Sequence, residues 1–201
     1  MNYLAHLYLS PNQEDIKLGS LLGDFVKGPI QDNGTLLNRA IILHRKLDTF
    51  TDNNPIIKRS KKNINNTRTR YAGIIIDIFY DYFLAKNWST FHHTPLRSYA
   101  QKIYQMLEKR QSELPENLLT ILPQMIKNDW LSSYAHKQKI EVFLAGIGQR
   151  LKKPVALERS IIDLCDNYSA LENDFFAFMP LAKQFCCEYA EVNFQFMRLP
   201  R

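Results

Sequence analysis

The chain has 201 residues, 45% of them hydrophobic, enough to bury a substantial core in one domain spanning 1–201. Only 7 glycines occur and helix formers are plentiful, so the composition points to an all-α protein. A net charge of +6 and a pI of about 9.2 favour an acidic partner. No run of 18 uncharged apolar residues occurs and the opening residues lack a signal-peptide pattern, so membrane insertion and export are not expected and a cytoplasmic location is.

In chain order, Asn2 to Ser10 reads as a short apolar helix carrying His6. Ser10-Pro11 reads as the start of a second helix, with an apolar stripe through Leu18, Leu21, Leu22 and Phe25 and a stop at Gly28-Pro29. After the turn signal Asp32-Asn33-Gly34, a long helix is predicted from Leu36 to about Thr51. Asn54-Pro55 reads as an N-cap with proline at the first helical position. Tyr71 to Trp88 is a further, strongly apolar helix. Thr94-Pro95 repeats the capping signature before a helix from Leu96 to Arg110. Pro115 and Pro123 bracket a shorter helix, and Asn128 to Gln149 holds one or two more, ending near Gly146 or Gly148. From Pro154 the apolar pattern is helical to about Phe196. The three cysteines, Cys165, Cys186 and Cys187, lack zinc-site spacing and read as ordinary helix residues.

The acidic and histidine residues of the first ninety positions carry the chemistry. His44, Asp48 and Asp52 follow one another at i, i+4, as do Asp77 and Asp81. Residues four apart share a helix face. Asp77 sits in the run Ile74-Ile75-Ile76-Asp77-Ile78-Phe79, where a buried carboxylate needs a cation to neutralise it. With His6 and Asp24, these residues lie on some four helices, and converging helices are a common way to build a metal site in a helical core. Mixed imidazole and carboxylate donors suit Mn²⁺, Mg²⁺, Fe²⁺ or Zn²⁺, with the carboxylates tilting toward Mn²⁺ or Mg²⁺. Arg45, Lys46, Lys27 and Arg39 are candidate phosphate-binding cations. From Lys58 to Arg70 six basic and no acidic residues occur, a solvated stretch or a docking patch that includes Lys58, Lys61 and Lys62.

Four ordered blocks resemble the acyl carrier protein phosphodiesterases: Met1 to Leu9, Gly19 to Gly28, Leu43 to Asp48 with Thr51-Asp52-Asn53, and Asp77 to Ser89. The resemblance implies a divalent metal, Mn²⁺ in preference, and removal of the 4′-phosphopantetheine arm from holo-acyl carrier protein, a strongly acidic partner. It also implies a divergent relative of the HD phosphohydrolases. The chain nevertheless contains no adjacent His-Asp pair, so its ligand geometry is expected to differ from the standard HD site. The expected metal set is Asp24, His44, Asp48 and Asp77. His6, Asp24 and Asp81 are the expected catalytic candidates, as further ligand, general acid or orienting group. A nucleotide phosphohydrolase is the alternative enzyme. A non-catalytic binding module for nucleic acid or carrier protein ranks last, because it leaves the carboxylates unexplained.

Overall fold

The computed structural model describes residues 1–194, which are helical with no strand among them. Twelve α-helices follow in order: α1 Tyr3–Leu9, α2 Glu14–Leu22, α3 Leu36–Asn53, α4 Pro55–Lys61, α5 Ala72–Lys86, α6 Trp88–Phe91, α7 Leu96–Lys109, α8 Glu116–Lys127, α9 Trp130–Ser133, α10 Lys137–Gln149, α11 Ser160–Asp166 and α12 Tyr168–Asn193. The last predicted helical positions, up to Phe196, and the remainder of the expected 1–201 unit lie outside the described residues.

Helix α5 is the centre. Eleven of its fifteen residues are buried, so it is apolar on nearly every side, the pattern of an enclosed helix. Helices α1, α4, α10 and α12 pack around it. Helix α2 lies along α3, and the crossing is close because Gly19 faces the carbonyl of Leu37 and the side chain of Ala40; an added Cβ would sit 2.3 Å and 2.6 Å from them. The caps follow local chemistry. Thr35 accepts from the N–H of Asn38 at the start of α3, and Asn54 accepts from Ile56 N–H ahead of Pro55 at the start of α4.

Three boundaries differ from the sequence reading. Helix α2 begins at Glu14 rather than at Pro11, because the Ser10 hydroxyl and the Lys17 ammonium bond back to the end of α1 and Ser10 and Gln13 are extended. Thr94 makes no cap, since Pro95 occupies that position and Trp88 donates to the Thr94 carbonyl. Pro123 lies inside α8 rather than at its edge; proline removes one internal hydrogen bond there, and Leu119 four residues before is exposed. Helix α10 ends at Gln149, beside Gly148, as expected.

Candidate metal centre

Helix α1 has only seven residues and no side-chain cap of its own, too short to be stable alone. It is held at both ends by buried charges from neighbouring helices. Asp81 of α5 accepts the N–H groups of Leu4 (2.8 Å) and Ala5 (3.1 Å). At the other end the Lys17 ammonium donates to the carbonyls of Leu7 and Ser10, and the Tyr99 hydroxyl also donates to Leu7. A carboxylate at the N-terminus and an ammonium at the C-terminus each complement the helix dipole. The clamp fixes His6, which lies midway between.

His6 and His44 stack with ring centroids 3.7 Å apart and planes 16° from parallel. Asp48, one turn beyond His44 on α3, spans the two rings. Its Oδ1 is 3.1 Å from His6 Nε2 and its Oδ2 is 3.2 Å from His44 Nε2. Ligand atoms of these three side chains all lie within 4.8 Å of one another. The His44 ring is seated against Gly23, where a Cβ would fall 2.1 Å from its Cγ. Its Nδ1–H donates to the Ser20 carbonyl (2.7 Å), which turns Nε2 toward Asp48 and toward Asp24 at 3.6 Å. His6 Nε2 likewise faces two acceptors, Asp48 and the Met1 carbonyl at 3.0 Å. Nε2 atoms that face only acceptors require a shared proton or a cation. Two imidazoles and a carboxylate, with a partly exposed Asp24 beside them, fit a divalent transition metal with positions left for water and substrate. A backbone acceptor on the far nitrogen, as Ser20 provides, is the usual way a ligating histidine is oriented.

The electrostatics agree with the geometry. Burial works against the His44 imidazolium, but the Asp24 and Asp48 carboxylates outweigh it and raise its pKa to about 9. His6 is pushed below its ordinary value by burial and by the neighbouring His44 charge. Burial opposes ionisation of Asp48, yet its bonds to His44 and His6 hold it well below the usual carboxylate range.

The other expected residues separate clearly. Asp77 was read as buried within its isoleucines; instead its side chain is 33% exposed, and it pairs with the Met1 amino group at 2.9 Å. That amino group is also 3.8 Å from Asp48, so Asp77 borders the trio without joining it. The fully buried carboxylate of α5 is Asp81, 0% exposed, with a pKa pushed up to about 7 by burial against the pull of Leu4 and Ala5 N–H. Its oxygens accept from these backbone groups, which makes it a clamp on α1. Asp52 is 69% exposed and pairs with Lys61 (2.7 Å). Arg45 donates to the carbonyls of Gly28 (2.6 Å) and Val26 (2.7 Å), so it fastens the turn after α2 rather than standing free for phosphate. Lys27 is exposed on that same turn. In the basic stretch, Arg59 bonds Asp174, Arg68 bonds Asp163 and Lys61 bonds Asp52. Lys58, Lys62 and Arg70 are exposed and form no ion pair among the described residues. Sequence reasoning missed Lys17, Ser20 and Gly23. The two glycines four apart, Gly19 and Gly23, were the available signal, since that spacing on one helix face admits a close neighbour.

Fold and site together define a helical protein with a two-histidine, carboxylate-flanked centre suited to a divalent metal. No solved structure matches the chain. The sequence profile of the family described as acyl carrier protein phosphodiesterase matches residues 1–182, and the chain belongs to that family. It is 32% identical to the acyl carrier protein phosphodiesterase of Serratia proteamaculans (strain 568) over 186 residues, covering 92% of this chain and 96% of that protein. It is 31% identical to the proteins of the same name from Enterobacter sp. (strain 638) and Escherichia coli O6:H1, each over 90% of this chain and 94% of the relative. No helix among the described residues is long and apolar enough to cross a membrane.

Proposed function

We propose that this protein is a metal-dependent phosphodiesterase that hydrolyses holo-acyl carrier protein to the apo form and 4′-phosphopantetheine. The observation that carries the reading is the convergence of His6, His44 and Asp48 in a chain of this family. His6 Nε2, His44 Nε2 and Asp48 would hold the metal, with the Asp24 carboxylate adjoining them. Mn²⁺ is the preferred ion and Fe²⁺ suits the same donors; two imidazole nitrogens make Mg²⁺ the poorer fit, because it prefers oxygen ligands. When bound, the metal supplies acidity to a coordinated water and polarises the phosphoryl oxygens.

In the reaction the bond between phosphorus and the carrier serine oxygen breaks. A water oxygen joins phosphorus, and the serine oxygen leaves with a proton. The chain's own residues orient these groups. Ser20 fixes the His44 ring, Asp81 and Lys17 fix α1 and hence His6, and Asp77 holds the Met1 amino group, which keeps the Met1 carbonyl against His6. The proposed ligands include no adjacent His-Asp pair, so the site departs from the standard HD arrangement. The exposed cations Lys58, Lys62, Arg70 and Lys27, together with the +6 charge, suit an acidic carrier protein approaching in the cytoplasm and set its encounter rate.

The test is intact-mass analysis of holo-carrier protein incubated with the purified protein and Mn²⁺, alongside a panel of nucleotide diesters. Conversion to the apo mass with no turnover of the nucleotides is expected. Turnover of the nucleotides alone would replace the carrier protein as substrate.

A further inference from the structure

A phosphodiester joined to a carrier serine has a second branch, the pantetheine chain, and that branch must run somewhere once phosphorus is at the metal centre. Of the hollows of about 290 Å³ or more among the described residues, those of about 350 Å³ and 310 Å³ are lined by Asn63–Asn66 with Asp163, and by α7 and α8, away from α1 and α3, which leaves two to weigh. The larger, about 660 Å³, is lined by Lys46, Thr49 and Phe50 of α3 with Phe185 and Tyr189 of α12. Lys46 lies two residues from both His44 and Asp48, about 200° round the helix, so this groove opens on the side away from the site. The second, about 290 Å³, lies between the start of α1 and helices α9 and α10.

This second pocket is lined by residues next in the chain to those that border the metal centre. Asn2 and Tyr3 line it, immediately after Met1, whose carbonyl meets His6 and whose amino group meets Asp77; Ile78, the residue after Asp77, lines it too. Its walls are amphipathic aromatics and aliphatics: Trp130, Tyr134, Phe143 and Ile147. Asn2 donates to the Tyr134 hydroxyl (2.8 Å), which braces the wall, and Arg150 is held at the lining by donating to the Gly146 carbonyl (2.9 Å). Burial raises the Tyr3 hydroxyl to about 12, with Asp24 adding to the rise and Arg150 opposing it, so both charges lie near this ring. An apolar wall with a few fixed polar groups is the usual build of a small-ligand pocket, and a volume at the lower edge of the common range, ~300–1,000 Å³, suits a slender chain better than fused rings.

From this juxtaposition we infer that the pocket between Tyr3, Trp130, Tyr134 and Phe143 receives the pantetheine arm of the substrate, with its dimethyl and methylene groups on the aromatic wall. The inference rests on the phosphodiesterase reading and adds to it the place where the leaving arm is recognised. The carrier protein itself stays at the surface, and the arm is the part slender enough to enter.

Gly146 offers the means to close the pocket. A Cβ there meets only Arg150 Nη2, at 3.9 Å, so Gly146→Leu projects into the hollow without striking backbone, and leucine favours the helix over glycine. Val142, one turn earlier and 61% exposed, gives a second variant, Val142→Trp. The experiment measures two quantities on the Mn²⁺-loaded protein and both variants, each checked for native helicity. One is the Kd of free 4′-phosphopantetheine by calorimetry; the other is the ratio of kcat/KM for holo-carrier protein to that for bis(4-nitrophenyl) phosphate. In both variants the Kd should weaken, and the ratio should fall, by at least about tenfold. Unchanged Kd and ratio in both folded variants, with the wild type active on holo-carrier protein, would overturn the pocket and leave the activity standing. Binding of 4′-phosphopantetheine that the variants abolish, in a wild type inactive on holo-carrier protein, would keep the pocket and refute the activity.

Discussion

Gly23→Ala probes how the His44 ring is placed. Gly23 has ordinary helical torsions (φ −52°, ψ −36°), so alanine suits the backbone and the substitution acts through space alone. The new methyl would lie 2.1 Å from Cγ, 2.3 Å from Cδ2 and 2.6 Å from Nδ1 of His44. Carbon atoms need ~3.5 Å, so the ring or α2 must retreat by more than about 1 Å. The Nδ1–Ser20 bond of 2.7 Å and the Nε2–Asp48 contact of 3.2 Å cannot both survive that shift. Misplacement of about 1 Å costs on the order of 10²-fold in rate, and overpacking costs ~1–3 kcal/mol of stability. The assay is Mn²⁺ calorimetry with kcat on holo-carrier protein at saturating metal, in protein shown folded by circular dichroism. Wild-type metal affinity and wild-type kcat in the alanine variant would refute the seating argument and, with it, the role given to His44.

Other outcomes follow from the same geometry. His44→Ala, His6→Ala and Asp48→Ala should each reduce metal affinity and kcat by several orders of magnitude, whereas Asp52→Ala should leave kcat within about twofold, because Asp52 faces solvent and Lys61; stopped assays at saturating metal decide between them. In the metal-free protein His44 carries a proton up to about pH 9 while His6 is already neutral near pH 7, so metal must displace one proton. Apparent affinity for Mn²⁺ should therefore rise about tenfold per pH unit from 7 toward 9 and then level; a slope of two or of zero in pH-dependent calorimetry would contradict the assignment. Burial lowers the Lys17 pKa from 10.5 to about 8, so between those values the unfolded chain holds the proton and the folded one does not. The Lys17 contribution to stability should therefore grow by ~3 kcal/mol across that window, read as the difference between wild type and Lys17→Met in urea melts at pH 7.5 and 10, since His44 and the Met1 amino group, whose pKa values are raised, act in the opposite direction on the total. Reversing Lys58, Lys62 and Arg70 to glutamate should lower kcat/KM for carrier protein at low salt and converge with wild type as salt is raised, because exposed charges are screened beyond ~8 Å at physiological ionic strength. Equal rates at low salt would remove this face from docking.

The sequence made the helices legible where period and caps agreed, as at α3 and α4 with Thr35, Asn54 and Pro55. It failed where a distant group overrode the local signal. Lys17 reaching back to Leu7 and Ser10 delays α2, and nothing near Pro11 announces that contact. The His44–Asp48 pair was readable because helix spacing alone puts both on one face. Asp77 was read as the buried carboxylate of α5, whereas Asp81 is the one enclosed, for a physical reason. Both sit in one apolar helix, and which of them is covered depends on where α1 lies, a tertiary fact. His6 gave a weak signal by itself; only the fold shows it stacked on His44. The basic stretch was legible as charge, yet three of its six cations are spent on Asp52, Asp163 and Asp174, two of them more than ninety residues away in sequence.

The central claim is that His6, His44 and Asp48 hold a metal on which cleavage of the carrier protein arm depends. The most direct measurement is the time course of the holo-to-apo mass shift with protein stripped by a chelator, verified metal-free by elemental analysis, and then titrated with Mn²⁺. No conversion before Mn²⁺ and recovery on its addition, absent in His44→Ala, are expected. Conversion at the full rate by the verified metal-free protein would contradict the account.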